Sequence, residues 1–385
     1  MQGMLIEYLE RQTASFDDAP FSGVDSLVLS TISYFHFEEG MLGAGQSERL
    51  VPLAQAICGI PYPALIGSGW LKNYDGRGFL AALLQSPRFM SLQVSYYIDE
   101  FSDAMEKQFE AITFFFPDGC AYAAFRGTDN SLAGWKEDFN LSFMEGTPGQ
   151  VAARAYVERL ARLTIPMIYV GGHSKGGNLA EYAAITCNPQ AYKKVARVYN
   201  HDGPSFCTDV APRMGTIDYR NRLHKTVPES SIFGMLMERR ADYRVVKARG
   251  ALMDQHAPLN WTIEGDDFVD AHELSSNAVV IGGTLTKWAY SYPPEKREYF
   301  VDNVFDVLRS AGIHSWSEVN EDTFSYVKTI FEEAAKTDAT TRQAMFGMLG
   351  DAFGILRNNA WGKAREKLPG PPRLPGKAEQ REEAE

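Results

Sequence analysis

The sequence predicts an α/β protein with a mostly parallel central sheet, helices on both of its faces, and helical extensions at either end. Three observations carry this. A short apolar strand, "MIYV" (167–170), runs through a glycine-studded turn into the helix-forming "NLAEYAA". Strand-like and helix-like segments then alternate, as a parallel sheet with crossover helices requires. Finally, 385 residues with 45% apolar and 23% charged content can bury one large core.

Residues 1 to about 75 read as helical. In "FSGVDSLVLSTISYFHF", Asp25 is placed to cap a helix whose Leu27, Leu29 and Ile32 face inward. "ERLVPLAQAICGI" is a second helical candidate, and "GRGFLAALLQSP" and "DAMEKQF" flank chain read as irregular. The β signal starts at "AITFFF" (111–116), turns at "PDGC" and returns as "AYAAFRG" (121–127), a hairpin pattern. "GWKEDFNLSF" follows without an assignment, then a helix across "QVAARAYVERLARL". After the strand and turn at 165–184 come further strands at "VARVYN" (195–200), at the end of "DYRNRLHKTVP", and at "DYRVVKA" (242–248). From about residue 285, "KWAYSYPPEKREYFVDNVFDVLRSAG" and "VNEDTFSYVKTIFEEAAK" read as amphipathic helices covering the sheet. The Pro-rich, charged tail has almost nothing to bury and reads as disordered.

The charge balance narrows the function classes. A net charge of −11 repels phosphate backbones, so nucleic acid is not an expected partner. Cys58, Cys120, Cys187 and Cys207 form no CxxC pair and suit a reducing compartment. No apolar run approaches the roughly 20 residues of a membrane span, and the N-terminus shows no signal-peptide pattern. A cytoplasmic location is expected. There is neither a metal-ligand spacing nor a phosphate-cradling loop, so no cofactor or metal is expected.

The turn Gly172-His173-Ser174-Lys175-Gly176 matches G-x-S-x-G. Ser174 could simply cap the following helix. A strand before it, a helix after it and flanking glycines favour a nucleophile elbow, in which the serine is strained and bulkier neighbours would collide. The backbone N–H of Lys175, at the positive end of the helix, is the expected first oxyanion donor. His173 is assigned to packing.

A serine hydroxyl needs a histidine to accept its proton. In this arrangement the acid and then the histidine follow the serine on later loops. Of seven histidines, His256 in "GALMDQHAPLNW" lies just beyond the last expected strand and is the candidate base. Chain order favours Glu229 in "HKTVPESSIFGML" as the acid over Asp202 in "NHDGPSF", with Asp254 poorly placed. "FRGTDNSLAGWKEDFN" ends a strand at Gly127 and Thr128, and Thr128 is the candidate second oxyanion donor. Arg126 there could equally be buried scaffolding paired to Asp129 or Asp138.

"FRGT" ahead of a Trp and Asp segment, then "GGHSKGG" after a strand, resembles the class 3 lipases of the α/β-hydrolase superfamily. A bacterial family of α/β hydrolases of unassigned function is more similar still, in "FRGTD…GWKEDFN", "GHSKGGNLAEYAA", "NHDGPSF", "VPESSIFGMLM" and "QHAPLNW", from about residue 15 to 320. The resemblance implies the α/β-hydrolase fold, with Ser174 as nucleophile, Thr128 in the oxyanion hole and His256 as base. Class 3 lipases usually set an aspartate ahead of a proline in the acid loop, whereas here Glu229 follows Pro228. On this reading residues 1–75 are a helical extension packed on the core, 76–365 the hydrolase domain with its covering helices, and 366–385 a disordered tail. The expected function is serine ester hydrolysis of an acyl ester or lipid. A catalytically inactive binding protein, or a thioesterase or peptidase using the same serine, are the alternatives. "IFGMLM" (232–237) reads as core, with an acyl pocket or a lid as the other possibilities.

Overall fold

The computed structural model describes residues 2–37, 49–67, 70–129, 131–240, 242–250, 253–310, 312–313 and 315. The expected helix at 319–336, the tail at 366–385 and His314 lie outside them.

Eight strands form one sheet in the order in which they occur along the chain: β1 (Val51–Pro52), β2 (Gln93–Ser102), β3 (Lys107–Phe115), β4 (Ala121–Phe125), β5 (Ile168–His173), β6 (Val195–His201), β7 (Leu223–Pro228) and β8 (Arg244–Val246). β1 to β4 pair antiparallel, and β4 to β8 pair parallel. The expected hairpin is therefore the β3–β4 pair, with Phe115 opposite Ala121. β2 falls in chain read as irregular. Its register shifts between Ser95 and Ile98, and its exposure does not alternate, so no period-two pattern marks it.

Parallel strands that follow one another in chain order, joined by right-handed crossovers, send all their crossover helices to one face. α4 (Pro148–Leu160) and α5 (Lys175–Thr186) pack there against Ala121, Ala123, Phe125, Ile168 and Val170. The other face, presented by Tyr122, Ala124, Tyr199 and His201, is covered by the N-terminal segment and, over His201, by Trp261 and Phe268. α2 (Gly23–Ile32) packs directly on it, and α1 (Leu5–Arg11) joins the same core.

α2 is buried on every side, its polar Ser26 and Ser30 included, and their hydroxyls bond to Tyr122 Oη at 2.8 and 2.9 Å. Leu27, Val28, Leu29 and Ile32 are wholly buried. Its N-cap is Ser22, whose hydroxyl accepts from the Asp25 backbone N–H at 3.2 Å, while the Asp25 carboxylate accepts from the Ser22 N–H at 2.8 Å. Asp25 thus sits one turn inside the helix rather than at its cap. It also pairs with Arg88 at 2.7 Å and accepts from Tyr8 Oη at 2.8 Å, with both charges buried. Breaking such a pair strands a buried charge. Arg88→Met is expected to lower unfolding stability by about 3–5 kcal/mol in urea titration.

"GWKEDFNLSF", left unassigned by sequence, lies mostly in α3 (Leu132–Asn140), capped by Ser131, whose hydroxyl accepts from the Gly134 N–H at 3.0 Å. Among the described residues two C-terminal helices follow, α6 (Ser276–Tyr290) and α7 (Pro294–Ser310), and α7 packs on α3 through Leu132, Phe300 and Phe305. No helix among the described residues is long and apolar enough to cross a membrane.

Candidate functional site

The carboxyl ends of β5 and β6 bring two strained residues side by side. His173 is in register with His201, so Ser174 and Asp202 each begin the loop beyond adjacent strands. Both hold positive φ, 58° for Ser174 with ψ of −131°, and 56° for Asp202. Side chains other than glycine seldom adopt this region, and holding it costs on the order of 1–3 kcal/mol. The surrounding hydrogen bonds impose it: the Ser174 N–H donates to His201 O at 2.9 Å, and the Asp202 N–H to Thr226 O at 2.8 Å.

The glycines around Ser174 are sterically required. A Cβ on Gly172 or Gly176 would overlap, respectively, the backbone of residue 176 and the Phe125 carbonyl. Strand, turn and helix thus cross so closely that only glycine fits on either side of the serine. Ser174 is half-buried at the N-terminus of α5 and uses no side-chain cap bond, so the capping alternative is not what its hydroxyl does.

His256 reaches the same sheet end from a short helix, Met253–His256, after β8. Its Nδ1 lies 2.6 Å from Asp202 Oδ2. Asp202 is fully buried, and its other oxygen accepts from Ser231 Oγ and from the Gly234 N–H at 3.1 Å. A carboxylate so held orients the imidazole with its hydrogen on Nδ1, leaving Nε2 as the nitrogen able to accept a proton. The ring is packed between His173, with centroids 4.4 Å apart, and Phe233, at 4.3 Å.

His173 does more than pack. Its Nε2 lies 2.7 Å from the His256 carbonyl oxygen and its Nδ1 3.0 Å from Tyr34 Oη. Since a carbonyl only accepts, Nε2 carries the hydrogen and Nδ1 accepts from the tyrosine. Complete burial, reinforced by the neighbouring His256, holds the His173 pKa well below the usual histidine range, so it stays neutral. The base loop is further pinned by Gln255, whose side chain accepts from the Ser230 N–H at 2.7 Å and donates to Ala248 O and Gly250 O at 3.1 Å.

The structure does not bring the expected acid, Glu229, to the candidate base. His256 meets Asp202, not Glu229. Glu229 instead bridges by its backbone, donating to Val246 O at 3.0 Å and accepting from the Ser275 N–H at 2.6 Å. Its loop still serves the pair, because Ser231 and Gly234 hold Asp202 and Phe233 covers the imidazole. The physical reason is that the loop after β8 folds back across β7 to the end of β6, which chain order does not reveal.

On the other side of Ser174, β4 ends at Phe125. A Cβ on Gly127 would overlap Tyr34 Oη, so this loop runs hard against the site. The Thr128 hydroxyl donates to Asp138 and is therefore engaged, which leaves only the Thr128 backbone N–H as a candidate donor. Arg126 is buried and paired with Glu110, neither of the aspartates expected for it. Among the described residues His36, Asp99 and Glu110 offer atoms within 4.8 Å of one another, a spacing a cation could use. The Arg126 guanidinium already occupies it, 3.4 Å from both His36 nitrogens.

The class defined so far is an α/β protein with a strained serine on a strand–turn–helix beside a buried Asp–His pair. The Mbeg1-like family matches residues 83–306 of the 385, more than half of the chain, which therefore belongs to that family. The family is compatible with a lipase-like hydrolase. No curated protein matches the chain.

Sequence reasoning did not find Tyr34, Ser231 or the role of His173. The adjacency of His173 to Ser174 was visible, but a partner 139 residues away in the N-terminal segment was not.

Proposed function

We propose that this protein is a serine hydrolase of the α/β-hydrolase fold that cleaves carboxylic esters, acyl or lipid esters foremost, through an acyl-enzyme on Ser174. The observation that carries this reading is the 2.6 Å contact of His256 Nδ1 with buried Asp202, set beside a serine held at positive φ.

Ser174 Oγ attacks the acyl carbon as His256 Nε2 takes its proton, and Asp202 stabilises the imidazolium that forms. The oxyanion accepts from the backbone N–H groups of Lys175 and Thr128, where donors positioned in advance are worth about 100- to 1000-fold each. Collapse of the tetrahedral intermediate breaks the C–O bond, and His256 returns the proton to the departing alcohol. Water, deprotonated by the same ring, then attacks the acyl-enzyme and releases the acid. Phe233, packed 4.3 Å from the His256 ring, is the apolar side chain we expect a bound acyl group to meet first. A rapid quench of the reaction with an aryl ester, followed by intact mass measurement, is expected to show one acyl group added on Ser174. Turnover with no acyl group on any serine would overturn the mechanism.

A further inference from the structure

Lys175 is unusual in that the residue after the serine sends a charged side chain into the protein. It is 1% exposed. The three hydrogens of its ammonium find three acceptors, Gln108 O at 2.9 Å, Gln108 Oε1 at 2.6 Å and Glu137 Oε2 at 3.0 Å. Glu137 is saturated in turn, with Oε1 accepting from the Gly149 N–H at 2.6 Å and Oε2 from the Gln108 N–H at 3.1 Å. One ion pair therefore ties β3, α3, the start of α4 and the start of α5 together directly behind the turn.

Asp138, the residue after Glu137, links this knot to the other proposed oxyanion donor. It accepts the Thr128 hydroxyl on Oδ2, while its Oδ1 is buried without a hydrogen-bond partner among the described residues. Lys175 of α5, Glu137 of α3 and Asp129 of the loop after β4 are the charged groups that bear on it. Burial pushes Asp138 up to about 6; among the charges, Lys175 pulls it down more than Glu137 or Asp129 raises it.

Resting on the reading of Ser174 as nucleophile, we infer that Lys175 is a positioning residue for the oxyanion hole. Its buried ammonium clamps the first turn of α5 onto Glu137 of α3, and the next residue of α3, Asp138, fixes Thr128 with its N–H toward the oxyanion. Nothing in the serine–histidine–acid chemistry itself calls for a cation at this position.

The pH profile of kcat/KM separates this role from mere scaffolding. Lys175→Met alone would strand Glu137, so it is paired with Glu137→Gln. In the K175M/E137Q protein Asp138 loses the stronger, stabilising charge. Activity is expected to fall about 10- to 100-fold, mainly in kcat, as donors slip out of place, and the acid limb is expected to move to higher pH. Glu137→Gln alone keeps the ammonium and removes a repelling carboxylate, so its acid limb is expected to move to lower pH. This nearly isosteric variant carries the test if the double variant fails to fold. Adding Asp138→Asn should abolish both shifts. Unchanged limbs in folded variants, or shifts that persist after Asp138→Asn is added, would overturn the inference. Phosphonate labelling of wild-type Ser174 is run alongside, since a lack of label would mean that the nucleophile reading has failed instead.

Discussion

Ser174→Ala is expected to lower kcat for ester hydrolysis by about 10⁶-fold, to the level that binding and oxyanion donors sustain alone. The serine supplies the only new bond of the proposed acylation step, so nothing replaces it. What survives is the ability of a site with two backbone donors to favour attack by water, typically about 10³- to 10⁴-fold over solution. Position 174 sits at a φ that costs alanine as much as serine, and its hydroxyl makes no cap bond to lose. The variant should therefore fold normally. Circular dichroism and urea unfolding, run beside rates on short- and long-chain esters, would show this. Activity within tenfold of wild type on either class would remove Ser174 from the chemistry.

Asp202→Asn is expected to cost about 10⁴-fold in kcat with little change in KM. The reason lies in the partners of the other oxygen. Ser231 Oγ and the Gly234 N–H both donate to Oδ1, so an asparagine must place its amide oxygen there and turn its NH₂ toward His256. The imidazole then accepts on Nδ1 and carries its hydrogen on Nε2, the wrong nitrogen for taking a proton from Ser174. Glu229→Gln is the matched control. Its side chain is half-buried and its structural bonds run through the backbone, so kcat should stay within about two- to threefold. The reverse pattern, a large loss from Glu229→Gln and a small one from Asp202→Asn, would restore the acid that chain order favours.

The contrast between these two carboxylates shows what one sequence reveals. The strand–turn–helix at 165–184 was legible because its signals are local: an apolar strand, glycines that sterics demand, and an alanine-rich helix. The placement of His256 near the serine's end of the sheet was legible by elimination, as the histidine just past the last strand. The contact of Asp202 with His256 was harder to read, because it depends on β5 and β6 ending in register and on a loop from β8 crossing back over β7. β2 was missed because its bulge and the positive φ of Tyr96 break the alternation that marks a strand. α3 was missed for a related reason: Gly134, Trp135, Asp138 and Asn140 are indifferent helix formers, held helical by the Ser131 cap, by the Lys136–Glu106 ion pair and by the buried pairing of Glu137 with Lys175. The second face of the sheet was foreseen, though not its origin. Helices on both sides were expected from alternation, yet the crossovers visible in the pattern all lie on one side, and α2 supplies the other.

The central claim is that Ser174 is chemically activated by its surroundings, and a fluorophosphonate ester tests it without knowledge of the natural substrate. The wild-type chain should gain one phosphonyl group, mapped by peptide mass spectrometry to Ser174, with labelling slowed strongly by His256→Ala and by Asp202→Asn. No adduct on folded protein, or an adduct at another residue that those two changes leave untouched, would contradict it.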